Sequence, residues 1–197
     1  MRVLIACEFS GTVRDAFIGR GHDAVSCDLL ESETPGPHIV GDVLPLLREK
    51  WDLIIAHPPC TRLANSGVRW LDSPPKGKTR EQMWADLKSA CEFYREFQRA
   101  NSARIAIENP IMHGHAKARV GSRNRHVVQP WQFGERAFKA TGFELIGLEP
   151  LKPTDILTPP RAGSMEHKAW SAIHMAPPGP DRWKFRSRTF KGIAQAM

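Results

Sequence analysis

The apolar positions of this chain come in short unbroken runs that alternate with helical repeats. Val3-Leu4-Ile5-Ala6 is such a run, and its lack of polar interruption marks a strand covered on both faces. A helical stretch over residues 12–20 follows Ser10-Gly11 and is closed by Gly21. Ala24-Val25-Ser26-Cys27 reads as a second strand ending at Asp28, and Ile39-Val40 leads into Gly41-Asp42-Val43. Asp52-Leu53-Ile54-Ile55-Ala56 is another buried strand, which Pro58-Pro59 stops. Residues 80–100 carry the clearest helix, because Met83, Leu87, Cys91, Tyr94 and Phe97 recur every three or four positions. Arg104-Ile105-Ala106-Ile107 is the next strand and runs into Glu108-Asn109-Pro110. Strands alternating with helices predict an α/β, Rossmann-like fold with a mostly parallel sheet.

Beyond Pro110 the periodicity fades. Residues 111–135 are rich in His, Arg and Gly, residues 143–148 predict one more strand, and residues 150–182 read as Pro-rich loop. A basic stretch over 182–191 leads to a terminal helix. There is no internal repeat and no flexible linker, so the chain is expected to form a single compact domain. No apolar run approaches the roughly 18 residues of a membrane span. The opening residues are too few for a signal peptide, and Cys7, Cys27, Cys60 and Cys91 show no metal-ligand spacing. They are expected to be reduced thiols of a cytoplasmic protein, and His113-Gly114-His115 alone does not predict a metal site.

Charge divides the chain in two. Residues 1–60 hold 5 Lys/Arg and 9 Asp/Glu, whereas residues 61–197 hold 23 and 12. An acidic front and a basic back predict a small-molecule pocket beside a surface for a polyanion. Glu8, Asp28, Asp42, Cys60 and Glu108-Asn109 all fall at or just past the C-terminal ends of predicted strands. That is where open α/β sheets place their ligand crevice. Cys60 follows two prolines that fix the backbone, Arg62 stands two residues on, and a helix separates it from Glu108. The crossover would bring Glu108 beside Cys60 on adjacent strands. A thiol on a rigid strand end with a neighbouring acid suits addition to the 5,6 double bond of a pyrimidine, since the acid neutralises charge building on the ring.

The order of a Phe-x-Gly loop, an acidic strand end, Gly41-Asp42-Val43, Pro58-Pro59-Cys60 and Glu108-Asn109-Pro110 resembles the DNA (cytosine-5)-methyltransferase family, and more closely its short phage and prophage members. The likeness extends from residue 1 to about 112 and is weaker at 129–141 and 182–197. It implies a sheet of the S-adenosylmethionine-dependent methyltransferase type, with S-adenosylmethionine as donor and DNA as partner. It further implies Cys60 as nucleophile, Glu108 at ring N3 and the exocyclic amine, and Asn109 holding the active-site loops. Phe9 and Gly11, with Glu8 and Ser10 in the same loop, correspond to the donor loop, where the resemblance implies that the aromatic ring packs on adenine. Asp28 with Leu29 corresponds to the ribose side, Asp42 with Val43 to the adenine side, and Pro58 also belongs to the donor-binding set. Residues 1–112 would be the donor-binding and catalytic core, 113–181 a reduced target-contact region completing the sheet, and 182–197 a basic segment packing back on the core. A monomer in the cytoplasm, or in the host's cytoplasm for a phage protein, is expected.

The chain also departs from the family pattern. The donor loop has one glycine, with Glu8 in place of an aspartate; Thr61 stands where glutamine is usual, and Pro110 where valine is common. No Gln-x-Arg-x-Arg motif is present. Arg123-Asn124-Arg125, Arg136 and Arg186-Ser187-Arg188 compete for the arginine that supports the target base, and Arg188 fits the family's closing segment. Little room remains for a separate recognition domain, so Arg62, Gln132, Lys139, Arg186, Arg188 and the tryptophans Trp131, Trp170 and Trp183 are the candidate DNA contacts. Three other readings stay open. They are a methyltransferase for exocyclic amines (disfavoured because Cys60 replaces that family's aromatic residue), an enzyme of free pyrimidine nucleotides or of another donor, and a DNA-binding protein on a decayed scaffold.

Overall fold

The computed structural model describes residues 1–121 and 125–197. Seven strands form one sheet: β1 (Arg2–Ala6), β2 (Asp23–Asp28), β3 (His38–Val40), β4 (Leu53–Ala56), β5 (Ile105–Pro110), β6 (Arg125–Val128) and β7 (Thr141–Ile146). Their order is β3-β2-β1-β4-β5-β7-β6. The first five strands pair in parallel, and β7 inserts antiparallel between β5 and β6. This is the Rossmann-like sheet of the methyltransferase type. The chain reverses direction between β3 and β4, so a crevice opens above the C-terminal ends of β1 and β4.

The alternation of side chains along the central strands explains why they are apolar on both faces. Leu4, Ala6, Ile54, Ala56, Ile105 and Ile107 pack with Met83, Leu87, Cys91, Tyr94 and Phe97 of α2 (Arg80–Gln98) and with Ala116 and Val120 of α3 (Gly114–Val120). Val3, Ile5, Leu53, Ile55 and Ala106 pack on the other face with Val13 and Phe17 of α1 (Thr12–Ile18) and with Ile193 and Ala194 at the C-terminus. Each large apolar side chain so buried contributes on the order of 1.5–3 kcal/mol. A capping box starts α2: Gln82 N–H donates to Thr79 Oγ1, and Thr79 N–H donates to Gln82 Oε1. The buried Glu144 carboxylate on β7 accepts from Tyr94 Oη and Gln98 Nε2, both at 2.9 Å, which ties α2 to the antiparallel strand.

The second half holds more regular structure than the sequence predicts. β5 continues through Glu108, Asn109 and Pro110, because β7 pairs with it along that whole length, Pro110 opposite Thr141. β6 was not expected. Within and after the Pro-rich stretch lie α4 (Met165–Trp170), α5 (Ala172–Met175) and α6 (Arg182–Ser187), followed by the expected terminal helix α7 (Lys191–Ala196). Helices of four to six residues are too short to print a period on the sequence. No helix among the described residues is long and apolar enough to cross a membrane.

Candidate active site

Cys60 sits four residues past β4 in a loop that is held from several sides. Its carbonyl accepts from the N–H groups of Leu63 and Ala64, both at 2.9 Å. Ala64 bridges to Met112 just after β5, and Asn65 N–H donates to the Ile111 carbonyl at 2.8 Å. His113 Nδ1 accepts from Ala116 N–H and so caps α3, which leaves Nε2 to donate to the Arg62 carbonyl at 2.8 Å. Burial keeps this imidazole below its usual pKa, in keeping with the neutral form. Gly67 completes the clamp. A side chain there would put Cβ 2.3 Å from the Thr61 carbonyl oxygen.

Cys60 and Glu108 line one cleft of about 110 Å³, together with Lys139 and Arg186. Glu108 lies 3.7 Å from His57 Nδ1, both side chains being largely buried. Burial pushes the Cys60 thiol above its usual pKa, and the Glu108 carboxylate adds to the rise. Lys139, a backbone hydrogen bond at Cys60 itself and Arg186 oppose it. Lys139 answers in kind: burial lowers its amine, whereas Glu108 and Cys60 favour the charged form. Asn109 points to the opposite face of β5; it is 0% exposed, and its amide makes no hydrogen bond among the described residues.

On the neighbouring side of the crevice, Asp28 ends β2 and Asp42 follows β3. Each spends one oxygen on a tight turn, accepting from Leu30 N–H and from Leu44 N–H at 3.0 Å. Both acids act on the Cys7 thiol, which burial, then Asp28, Cys27 and Asp42 drive far above its usual pKa. The two carboxylates therefore share one neighbourhood. Leu29 and Val40 beside them are 76% and 55% exposed. Two acids flanked by uncovered apolar side chains fit a nucleoside, with hydroxyl and amine donors around a flat ring.

The loop before α1 is built differently from its expected role. Glu8 is buried and accepts from Val13 N–H at 2.7 Å, Arg14 N–H at 3.3 Å and Ser10 Oγ at 3.0 Å, so its carboxylate shapes the loop from within. The Phe9 ring is 7% exposed and packs against Trp183 at a centroid distance of 5.8 Å. Gly11 is left-handed (φ 73°), and a Cβ there would meet Thr34 Oγ1 at 2.1 Å. The cause is Arg14, a residue that sequence reasoning passed over. Its fully buried guanidinium pairs with Asp15 and donates to Ser26 Oγ, Ser32 Oγ, Thr34 Oγ1 and the Pro35 carbonyl. It thereby fixes the loop after β2 against α1.

Several side chains lie elsewhere than the sequence led us to expect. The guanidinium of Arg62, a candidate DNA contact, pairs with Asp86 of α2 at 3.0 Å. Arg188, the expected catalytic arginine, lines the same cleft as Cys60 and Glu108, but its guanidinium is held by both oxygens of Glu33 at 2.9 and 2.6 Å, and the arginine that lowers the Cys60 thiol pKa is Arg186. Gln132 Oε1 accepts from Gln129 N–H and closes a local turn. Trp170 is buried against Phe138, whereas Trp183 remains half-exposed. Arg123 and Asn124 lie outside the described residues. Among the described residues no group of three or more His, Cys, Asp and Glu could hold a metal ion. A larger cavity of about 300 Å³, lined by Met1, Leu53 and Arg104, opens at the opposite, N-terminal ends of the strands, far from this chemistry.

No protein-family model matches the chain, and no curated protein matches it. Solved structures do. One is described as a DNA modification methyltransferase encoded within a prophage of E. coli (16% identity, TM-score 0.48, covering 79% of this chain and 51% of that one). Another is the Entamoeba histolytica methyltransferase EhMeth (14%, 0.41, 82% and 57%), and a third the S. pombe Dnmt2 methyltransferase (14%, 0.37, 76% and 50%). The chain spans about half the length of each. The strand order, with β7 reversed between β5 and β6, makes the fold a Rossmann-like, mostly parallel α/β sheet.

Proposed function

We propose that this protein transfers a methyl group from S-adenosylmethionine to carbon 5 of cytosine in DNA, through a covalent bond between Cys60 Sγ and carbon 6 of the base. The observation that carries the reading is the meeting of Cys60, from the end of β4, with Glu108, from β5, in one cleft beside the crevice that holds Asp28 and Asp42. S-adenosylmethionine, when bound, supplies an electrophilic methyl group. Asp28 and Leu29 would hold its ribose, Asp42 and Val43 its adenine with Phe9 beside it, and Ser10, Gly11 and Pro58 would line the rest of the donor pocket.

The chain's own residues do the rest. The Cys60 thiolate forms the Sγ–C6 bond and turns the 5,6 double bond into an enamine. Glu108, a carboxylate in the free enzyme, takes a proton from solvent as the base enters and supplies it to N3 as charge builds there, which is electrostatic stabilisation where it develops. Carbon 5 gains the methyl group and loses its proton to solvent. The Sγ–C6 bond then breaks, restoring the double bond, as N3 returns its proton to Glu108 and the thiolate is released. A base inside a duplex must leave the stack to reach Cys60, at a cost of a few kcal/mol. Residues 113–181 serve as a reduced target-contact region, and the excess of Lys and Arg after residue 60 supplies phosphate contacts. The protein acts as a monomer in the cytoplasm.

Incubation of the protein with cytosine-containing DNA and isotopically labelled donor, followed by nucleoside mass spectrometry, tests the reading. Labelled 5-methylcytosine is expected, and none in Cys60→Ser. Label in N4-methylcytosine, or in no base, would overturn it.

A further inference from the structure

Lys139 enters the cleft from the side that the family resemblance leaves unassigned. It lies just before β7, and its backbone is fixed: Lys139 N–H donates to Gln129 Oε1 at 3.2 Å, within the turn that Gln132 closes. Its Nζ donates to the Arg188 carbonyl at 3.0 Å, so the ammonium is drawn between the C-terminal segment and the cleft wall. Lys139 lines the cleft with Cys60 and Glu108.

The charged and titratable groups that line the cleft with Cys60 come from several elements. Glu108 comes from β5, Lys139 from just before β7, Arg186 from α6, Arg188 from the residue after it, Cys7 and Glu8 from the loop after β1, and His57 from the thiol's own loop. Arg62, the nearest cation in sequence, is taken by Asp86, and Arg188 by Glu33. A thiolate here stands against the Glu108 carboxylate and needs a cation of its own. We propose that Lys139 is the positioning residue that holds Cys60 as a thiolate against the charge of Glu108, a role distinct from contact with DNA. The thiol proton goes to solvent, while the ammonium keeps its protons and serves as a fixed counter-charge. When the Sγ–C6 bond forms, the negative charge passes from sulfur to the ring and the ammonium stays in place. This rests on the reading of Cys60 as nucleophile, but its test needs neither DNA nor donor.

The test is the pH dependence of Cys60 alkylation by iodoacetamide, read by mass spectrometry of the Cys60 peptide. In Lys139→Met the profile should move to higher pH, and alkylation at pH 7.5 should slow on the order of tenfold, the scale of one lost close charge. Lys139→Arg should restore most of the rate, and Glu108→Gln should move the profile the other way. A folded Lys139→Met protein with an unmoved profile would overturn the proposal. Should that variant not fold, the reciprocal measurement decides, because coupling between two sites is mutual. The Lys139 amine, followed by NMR, should titrate at lower pH in Cys60→Ser than in the native chain, and an unchanged titration would overturn the proposal as well. A Cys60–Lys139 coupling found in a protein that makes no 5-methylcytosine would refute the transferase reading alone.

Discussion

At the scale of single residues, the site is a set of charges whose neighbours decide their use. Asp28 and Asp42 each keep one carboxylate oxygen outside the turn that the other oxygen closes. Asp28→Ala should weaken binding of S-adenosylhomocysteine on the order of tenfold or more, as expected for loss of a hydrogen bond to a charged group, with calorimetry as the readout. Unchanged affinity would remove Asp28 from the donor site. Cys60, Glu108 and the two aspartates could be read from the sequence, because each lies at a strand end that its own apolar run announces. The cations could not. Arg62 is near Cys60 in sequence yet spent on Asp86, whereas Lys139 and Arg186 join the thiol's cleft only through the folding of β7 and α6. Local spacing carries no trace of such contacts.

At the scale of elements, the Cys60 loop is rigid because backbone meets backbone without room for a side chain. Gly67→Ala would place a methyl group 2.3 Å from the Thr61 carbonyl oxygen, which cannot move without moving Cys60. The variant should lose about 1–3 kcal/mol of stability, the usual cost of overpacking, together with most methyl transfer. Urea unfolding and the transfer assay read the two effects separately, and full activity would mean that the clamp is dispensable. The elements themselves were legible where burial is complete. β1, β4 and α2 declare themselves through unbroken or periodic apolar positions, whereas β6 and the short helices α4 to α6 are set by tertiary contact. Pairing with β7 is also what extends β5 past Ile107 and makes Glu108 and Asn109 strand residues on opposite faces.

For the whole molecule, the four cysteines link stability to pH. Burial raises the thiols of Cys7, Cys27, Cys60 and Cys91, Cys27 up to about 11. Above the ordinary thiol range near 8.5 the unfolded chain releases these protons while the folded chain retains them, so the folded state binds more protons and loses stability as pH rises. The urea midpoint should fall between pH 8.5 and 11 and fall less in Cys27→Ala; a flat midpoint would show that the thiols ionise alike in both states. The same burial makes the Cys60 thiol depend on its cations for reactivity, and so joins the fold to the chemistry proposed for it. The most direct measurement of that chemistry is covalent capture on DNA containing 5-fluorocytosine with S-adenosylmethionine present, since fluorine at carbon 5 prevents release of the enzyme. A protein–DNA adduct stable to denaturant, with Cys60 identified as the attachment point and no adduct in Cys60→Ser, is the expected result. A protein that binds both donor and DNA yet forms no adduct, or forms it through another residue, would refute the central role of Cys60.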